Sequence, residues 1–151
     1  MRIEDEIKGR FRNEYHKGLI NLRYTVNYLS YSFMQELKKH DITESQYNVL
    51  RILRGFQNEA PLTVGFIKER MLDKSSDVSR IVDKLFNKKL VNRIENTKDR
   101  RQKLVSITEK GLDLLNKMYD CEIKADLLLK NLSLEEVQDL NFILDKIRGS
   151  Y

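Results

Sequence analysis

The chain has 151 residues, a formal net charge of +5 and a pI near 9.2, with 40% hydrophobic and 34% charged residues. That length suits one ordinary domain with a real core, and the 40% hydrophobic content with a single Pro and no Trp reads as globular and rich in long helices rather than disordered. A single cysteine, Cys121, excludes an internal disulfide and a multi-cysteine zinc site, and no apolar h-region or run of ~18 apolar residues points to export or membrane spanning, so a cytoplasmic location without a membrane partner is expected.

Along the chain, Leu19, Leu22, Val26, Leu29, Phe33 and Leu37 recur at spacings of three and four, the stripe of one long amphipathic helix that nothing breaks before His40. In Ile42-Thr43-Glu44-Ser45-Gln46-Tyr47, Thr43 caps a second helix and Gln46 closes a capping box. Leu62-Thr63 after Pro61 marks the start of a short helix over 63–71, with a weaker signal because no Glu or Gln follows three residues on.

Leu72, Asp73 and Lys74 then make a tight connection to a further helix between Lys74 and Asn87. Its apolar face carries Val78, Ile81, Val82, Leu85 and Phe86, and its polar face Ser76, Arg80, Asp83, Lys84 and Asn87. Val91 to Ile94 and Leu104 to Ile107 read as a β-hairpin, Thr108 opens another helix, and Ser133 with Glu136 caps a last one over 133–148. The expected fold is therefore mainly α with a small β-hairpin.

The order of short helix, turn, amphipathic helix and basic hairpin is that of a winged helix-turn-helix. The second helix is narrow enough to enter the major groove and present its polar N-terminal half to base edges. Ser75 and Ser76 near its start suit phosphates, helped by the positive end of the helix dipole. Between the strands lies NTKDRRQK, where Lys98, Arg100, Arg101 and Lys103 surround Asp99. An Arg at such a tip fits the minor groove, while Asp99 either orients an Arg or closes the turn. Arg80 and, less directly, Lys84 face outward as DNA contacts or as a solvated surface.

These residues, IVDKLFNKKLVNR followed by DRRQKLVSITEKG, resemble the MarR family of winged helix-turn-helix transcriptional regulators. The combination of Asp99 and Arg101 with Ile107, Thr108 and Gly111 carries the resemblance. It implies a single MarR-like domain over 1–151, with 41–111 as the DNA-binding region and the helices of 1–40 and 112–151 as the dimerisation region. It further implies a homodimer on palindromic double-stranded DNA, with Ser76, Ser79 and Arg80 on the recognition helix, Arg101 in the minor groove and Asp99 positioning it. A repressor released by a small ligand is the usual form. One departure is Lys89, where the family often has Gly, so the recognition helix is expected to end differently.

Tyr24, Tyr28 and Tyr31 line the first long helix, either as packing residues or, given the family's cleft, as the walls of a site for a small aromatic or phenolic effector. Cys121 reads as a packing thiol in preference to a redox sensor. His16 and His40 lack a carboxylate or Cys cluster, so no metal is expected. No phosphate loop or nucleophile elbow is present and Glu135 with Glu136 reads as capping, so neither an enzyme nor a cofactor is expected. The alternative is a winged-helix module that binds protein, which would not need Arg101 beside a basic recognition face.

Overall fold

The computed structural model of the chain describes residues 2–97, 99 and 102–149. Helix α1 spans Ile3–Ile7, α2 Glu14–Lys39 and α3 Glu44–Gly55, followed by a single 3-10 turn. Strand β1 (Leu62–Thr63) leads directly into α4 (Val64–Arg70), and α5 (Val78–Asn87) completes the helix-turn-helix. Strands β2 (Val91–Glu95) and β3 (Lys103–Ile107) form the hairpin, and α6 (Glu109–Lys117), α7 (Tyr119–Asp126) and α8 (Leu134–Ile147) end the chain. No helix of the described residues is long and apolar enough to cross a membrane.

The local signals that end on a backbone N–H are met at each site. Thr43 accepts from the Gln46 N–H while Gln46 reaches back to the Thr43 N–H, and Ser133 with Glu136 repeats the exchange. Thr63 and Thr108 cap α4 and α6 with the hydroxyl alone, accepting from Phe66 and Gly111 at 3.1 Å each.

Three features depart from the sequence reading. Strand β1 makes the hairpin a three-stranded antiparallel sheet in the order β1-β3-β2, with Leu62 opposite Val105, because Leu62-Thr63 supplies both a strand and a helix cap. Helix α1 precedes the long helix. Beyond Thr108 the chain turns at Met118, where φ −91° and ψ 2° separate α6 from α7 without a Gly or Pro to announce it.

The described residues of 34–122 form one compact unit. Its core joins Val49, Leu50 and Leu53 of α3, Ile67 of α4, Val82 and Leu85 of α5, Val91 and Val105 of the sheet, and Leu115 and Met118, all at most 1% exposed. Burial of each such side chain contributes about 1.5–3 kcal/mol against about 0–1 kcal/mol for a surface ion pair, so apolar packing holds this unit together.

Gly111 shows how closely its parts approach. A Cβ there would press into the Leu90 carbonyl oxygen and lie 2.7 Å from Ile107 Cγ1, so the Thr108-to-Gly111 step lets α6 cross the turn between α5 and β2.

The described residues of 1–33 and 123–151 form a second unit. Here α1 is tied to α2 by a Lys17–Glu4 ion pair and by the Tyr24 hydroxyl donating to Glu6 at 2.9 Å. Ile3 is its only buried apolar side chain among the described residues. Leu19 (67% exposed), Val26 (51%), Ile143 (52%) and Ile147 (63%) lie open, and Leu19, Leu22, Leu140, Ile143, Leu144 and Ile147 line a groove of about 640 Å³.

Candidate nucleic-acid interface

The recognition helix begins later than its sequence suggests. Asp73 gathers the hydroxyls of Ser75 (2.7 Å) and Ser76 (3.2 Å) and the Ser75 N–H (2.9 Å), bending the chain so that both serines precede the helix. These bonds, the Ser75 hydroxyl foremost, hold the Asp73 carboxyl below the usual carboxylate range. Asp77 is the cap, accepting from the Arg80 N–H at 3.1 Å, and α5 starts at Val78. Ser76 is therefore in the turn and not on the recognition helix.

From that cap, helical spacing sorts the faces. Val78, Val82 and Leu85 are buried, Ile81 is half-buried instead of fully in the core, and Ser79, Arg80, Lys84 and Asn87 are exposed. Phe86 departs from its expected burial. It is 41% exposed, and the Arg93 guanidinium of β2 covers its ring at 4.8 Å.

The helix ends at Lys88 in a Schellman arrangement. The Lys89 N–H reaches the Phe86 carbonyl at 2.9 Å and the Leu90 N–H reaches that of Leu85 at 3.0 Å. Lys89 adopts φ +61°, so the expected change of ending does not occur: a lysine takes the left-handed position that favours Gly, held there by both bonds. The Thr108 hydroxyl also donates to the Lys89 carbonyl at 2.8 Å.

Side chains outside the sequence reading fix this face. Asn48 of α3 accepts from the Leu72 N–H at 2.9 Å and pins the turn of the helix-turn-helix. Arg70 closes α4 by stacking over Phe66 at 3.4 Å and Phe56 at 5.0 Å. Neither role has a local signature, because each partner lies on a different element.

At the wing, β2 and β3 pair from Val91↔Ile107 to Glu95↔Lys103. The Asn96 N–H donates to the Gln102 carbonyl at 3.0 Å, and the Gln102 N–H to that of Asp99 at 2.9 Å, so the Asp99 backbone helps close the turn. Lys98, Arg100 and Arg101 lie outside the described residues, as does the Cys121 side chain.

On α7, burial opposes the charge of Glu122, but the Tyr47 hydroxyl of α3 at 2.8 Å with Arg51 at 2.7 Å and Arg54 at 3.3 Å outweighs it and holds this carboxyl below its ordinary value. Burial, and then the bond to Glu122, raises the Tyr47 hydroxyl. The cluster fastens the start of α7 to α3.

Tyr24 and Tyr28 line a concavity of about 400 Å³ with Ile3, Glu6, Asn21 and Thr25, and Tyr31 is exposed outside it. The bond to Glu6 raises the Tyr24 hydroxyl. Among the described residues no group of His, Cys, Asp or Glu is arranged to hold a metal ion.

A helix-turn-helix whose second helix exposes Arg80 and Lys84, followed by an antiparallel hairpin with a basic tip, defines a winged-helix DNA-binding protein. The MarR family model matches residues 42–103, from the residue before the cap of α3 to the first residue of β3. The transcriptional regulator MhqR of Bacillus subtilis is 32% identical over 114 residues, 75% of this chain and 77% of that protein. The multiple antibiotic resistance protein MarR of Escherichia coli is 31% identical over 110 residues, 71% of this chain and 74% of its own. A structure of MepR of S. aureus in complex with DNA superposes with a TM-score of 0.79 at 25% identity, covering 94% of this chain and all of that one. The chain belongs to the MarR family, whose winged-helix members are DNA-binding transcriptional regulators.

Proposed function

We propose that the protein is a homodimeric repressor that binds a palindromic duplex operator in the cytoplasm and leaves it when a small effector binds. Residues 41–111 are the DNA-binding region, and the helices of 1–40 and 112–151 form the dimer. Ser79, Arg80 and Lys84 meet the major groove, Ser75 and Ser76 meet phosphates from the turn, and Lys98, Arg100 and Arg101 carry the wing into a neighbouring minor groove with Asp99 orienting Arg101. The observation that carries this reading is the cation-bearing exposed face of α5 on the same unit as the hairpin with the basic tip.

The dimer reading rests on the open apolar groove of the terminal unit, which a second copy would cover. For the effector, the concavity beside Tyr24 and Tyr28 offers aromatic walls to a small aromatic or phenolic ligand. Tyr31, outside the concavity, is kept as a ligand contact only by its place three residues beyond Tyr28 on α2.

Arg101 and Arg80 have different jobs, and binding isotherms at several salt concentrations on operator and scrambled duplexes separate them. Arg101→Ala should weaken binding to both and make the salt dependence shallower by about one unit of slope for each phosphate left without its cation. Arg80→Ala should cost about 1–3 kcal/mol on the operator and leave scrambled DNA nearly unaffected. Unchanged operator binding in both variants would remove the DNA-binding assignment of this face.

A further inference from the structure

The face of α5 assigned to DNA carries a carboxylate, Asp83, at i+4 from Ser79 and i+3 from Arg80. Placed toward a phosphate backbone, a negative charge weakens binding unless it does something else. Its neighbours say what that is. Arg93 of β2 pairs with Asp83 Oδ1, and the ammonium of Lys103 on β3 lies 3.8 Å from the same oxygen. Both cations project from one face of the hairpin, since Arg93 stands opposite Val105 and Glu95 opposite Lys103, and the fully buried Val105 marks that face as the one turned to the core.

The guanidinium of Arg93 is held from a second side by the ring of Phe86, one helical turn on from Asp83. This geometry also accounts for the exposure of Phe86, whose face serves as a platform for Arg93. Two strands of the wing are thus referred to one point midway along the recognition helix. A half-exposed pair contributes little to stability, about 0–1 kcal/mol, so its consequence is angular: it sets the direction of the wing stem relative to α5.

We propose that Asp83 is a specificity-determining positioning residue, which clamps the wing to the recognition helix through Arg93 and Lys103 so that major-groove and minor-groove contacts are made in one register. The proposal rests on the DNA-binding reading above. Arg101 lies two residues before Lys103 in sequence, so an error in stem direction is carried to the proposed minor-groove contact. Asp83 also neutralises cations that would otherwise add unselective attraction for any duplex.

The consequence is an unusual sign. Asp83→Asn removes a negative charge and frees Arg93 and Lys103, so binding to scrambled duplex should hold or rise a few-fold, with a salt slope steeper by up to about one unit per cation released. Operator binding should fall, and the ratio of operator to scrambled affinity should drop by about tenfold or more. Asp83→Glu, which keeps the charge, should retain most of the ratio. Arg93→Gln should lower the ratio as Asp83→Asn does, and the double variant should lose no more than either alone, as coupled partners require.

The measurement is a set of isotherms for the full-length protein and these variants on operator, single-site operator variants and scrambled duplex, with thermal melts alongside. Equal losses on operator and scrambled DNA, additive losses in the double variant, or an unchanged ratio would overturn the clamp. So would a loss confined to one base pair, which would make Asp83 a direct reader of a cytosine amino group. An Arg80→Ala arm keeps the two readings apart. If Arg80→Ala abolishes operator preference while Asp83→Asn leaves it intact, the clamp alone fails, whereas a parent protein without operator preference defeats the DNA reading itself.

Discussion

The two compact units of this chain solve the same problem to different degrees. In residues 34–122, side chains from helices and sheet meet in a core where Val49, Leu50, Ile67, Leu85, Val105, Leu115 and Met118 are fully buried. In the terminal unit, helices of comparable apolar content leave Leu19, Val26, Ile143 and Ile147 at least half exposed. A stripe of apolar residues signals that something will cover it without saying whether the cover belongs to the same chain. The winged unit is complete in itself, and the terminal unit is finished, in our proposal, by a second copy.

Placing charge in the open groove breaks that contrast most severely. Leu19→Asp combined with Ile143→Asp should convert the proposed dimer to monomer in sedimentation at micromolar protein. Without the linked second half-site, operator binding should weaken by about a hundredfold or more. Melting of the winged unit should stay near that of the parent, because neither residue belongs to its core. A folded monomer that still binds palindromic DNA at full affinity would refute the role given to the groove.

The winged unit should in turn show its own acid sensitivity through Glu122. Because the folded-state carboxyl lies below its ordinary value, its ionised interactions with Tyr47, Arg51 and Arg54 stabilise the unit above the unfolded value of about 4.3. That contribution is lost as pH falls through the lowered value. Glu122→Gln should therefore cost about 1–3 kcal/mol near neutral pH and flatten the acid limb of a urea-melting profile. A limb of unchanged steepness would show that the carboxylate is not a source of the acid sensitivity.

Much of the winged unit is legible in its sequence because its signals are local. Thr43 and Gln46 satisfy one another across three residues, as Ser133 and Glu136 do in the terminal unit, and the apolar period of 78–87 marks the buried side of α5. What stays hidden depends on distant partners. Strand β1 exists because Leu62 finds Val105, Asn48 matters because the Leu72 N–H comes to it, and Phe86 lies open because Arg93 arrives from β2. Ser76 falls in the turn and off the helix because Asp73 organises that turn, which periodicity does not register. The groove-facing residues are recognisable as a stripe, although their degree of exposure is not.

The smallest expected effect sharpens the picture of the winged unit as internally determined. Lys89 is held at φ +61° by bonds on both sides, so Lys89→Gly should remove a conformational cost and stabilise the unit by about 0.5–1 kcal/mol in denaturant melts. Operator affinity should not change. A destabilised variant would mean that the lysine side chain contributes more than its backbone costs.

Selection of bound duplexes from a random pool by the full-length protein tests the division of labour most directly. Two copies joined through the terminal unit, each reading with its own α5 and wing, should enrich palindromes whose half-site centres lie about 34–36 Å apart, one helical turn. Enrichment of asymmetric single sites, or of no sequence at all, would contradict it.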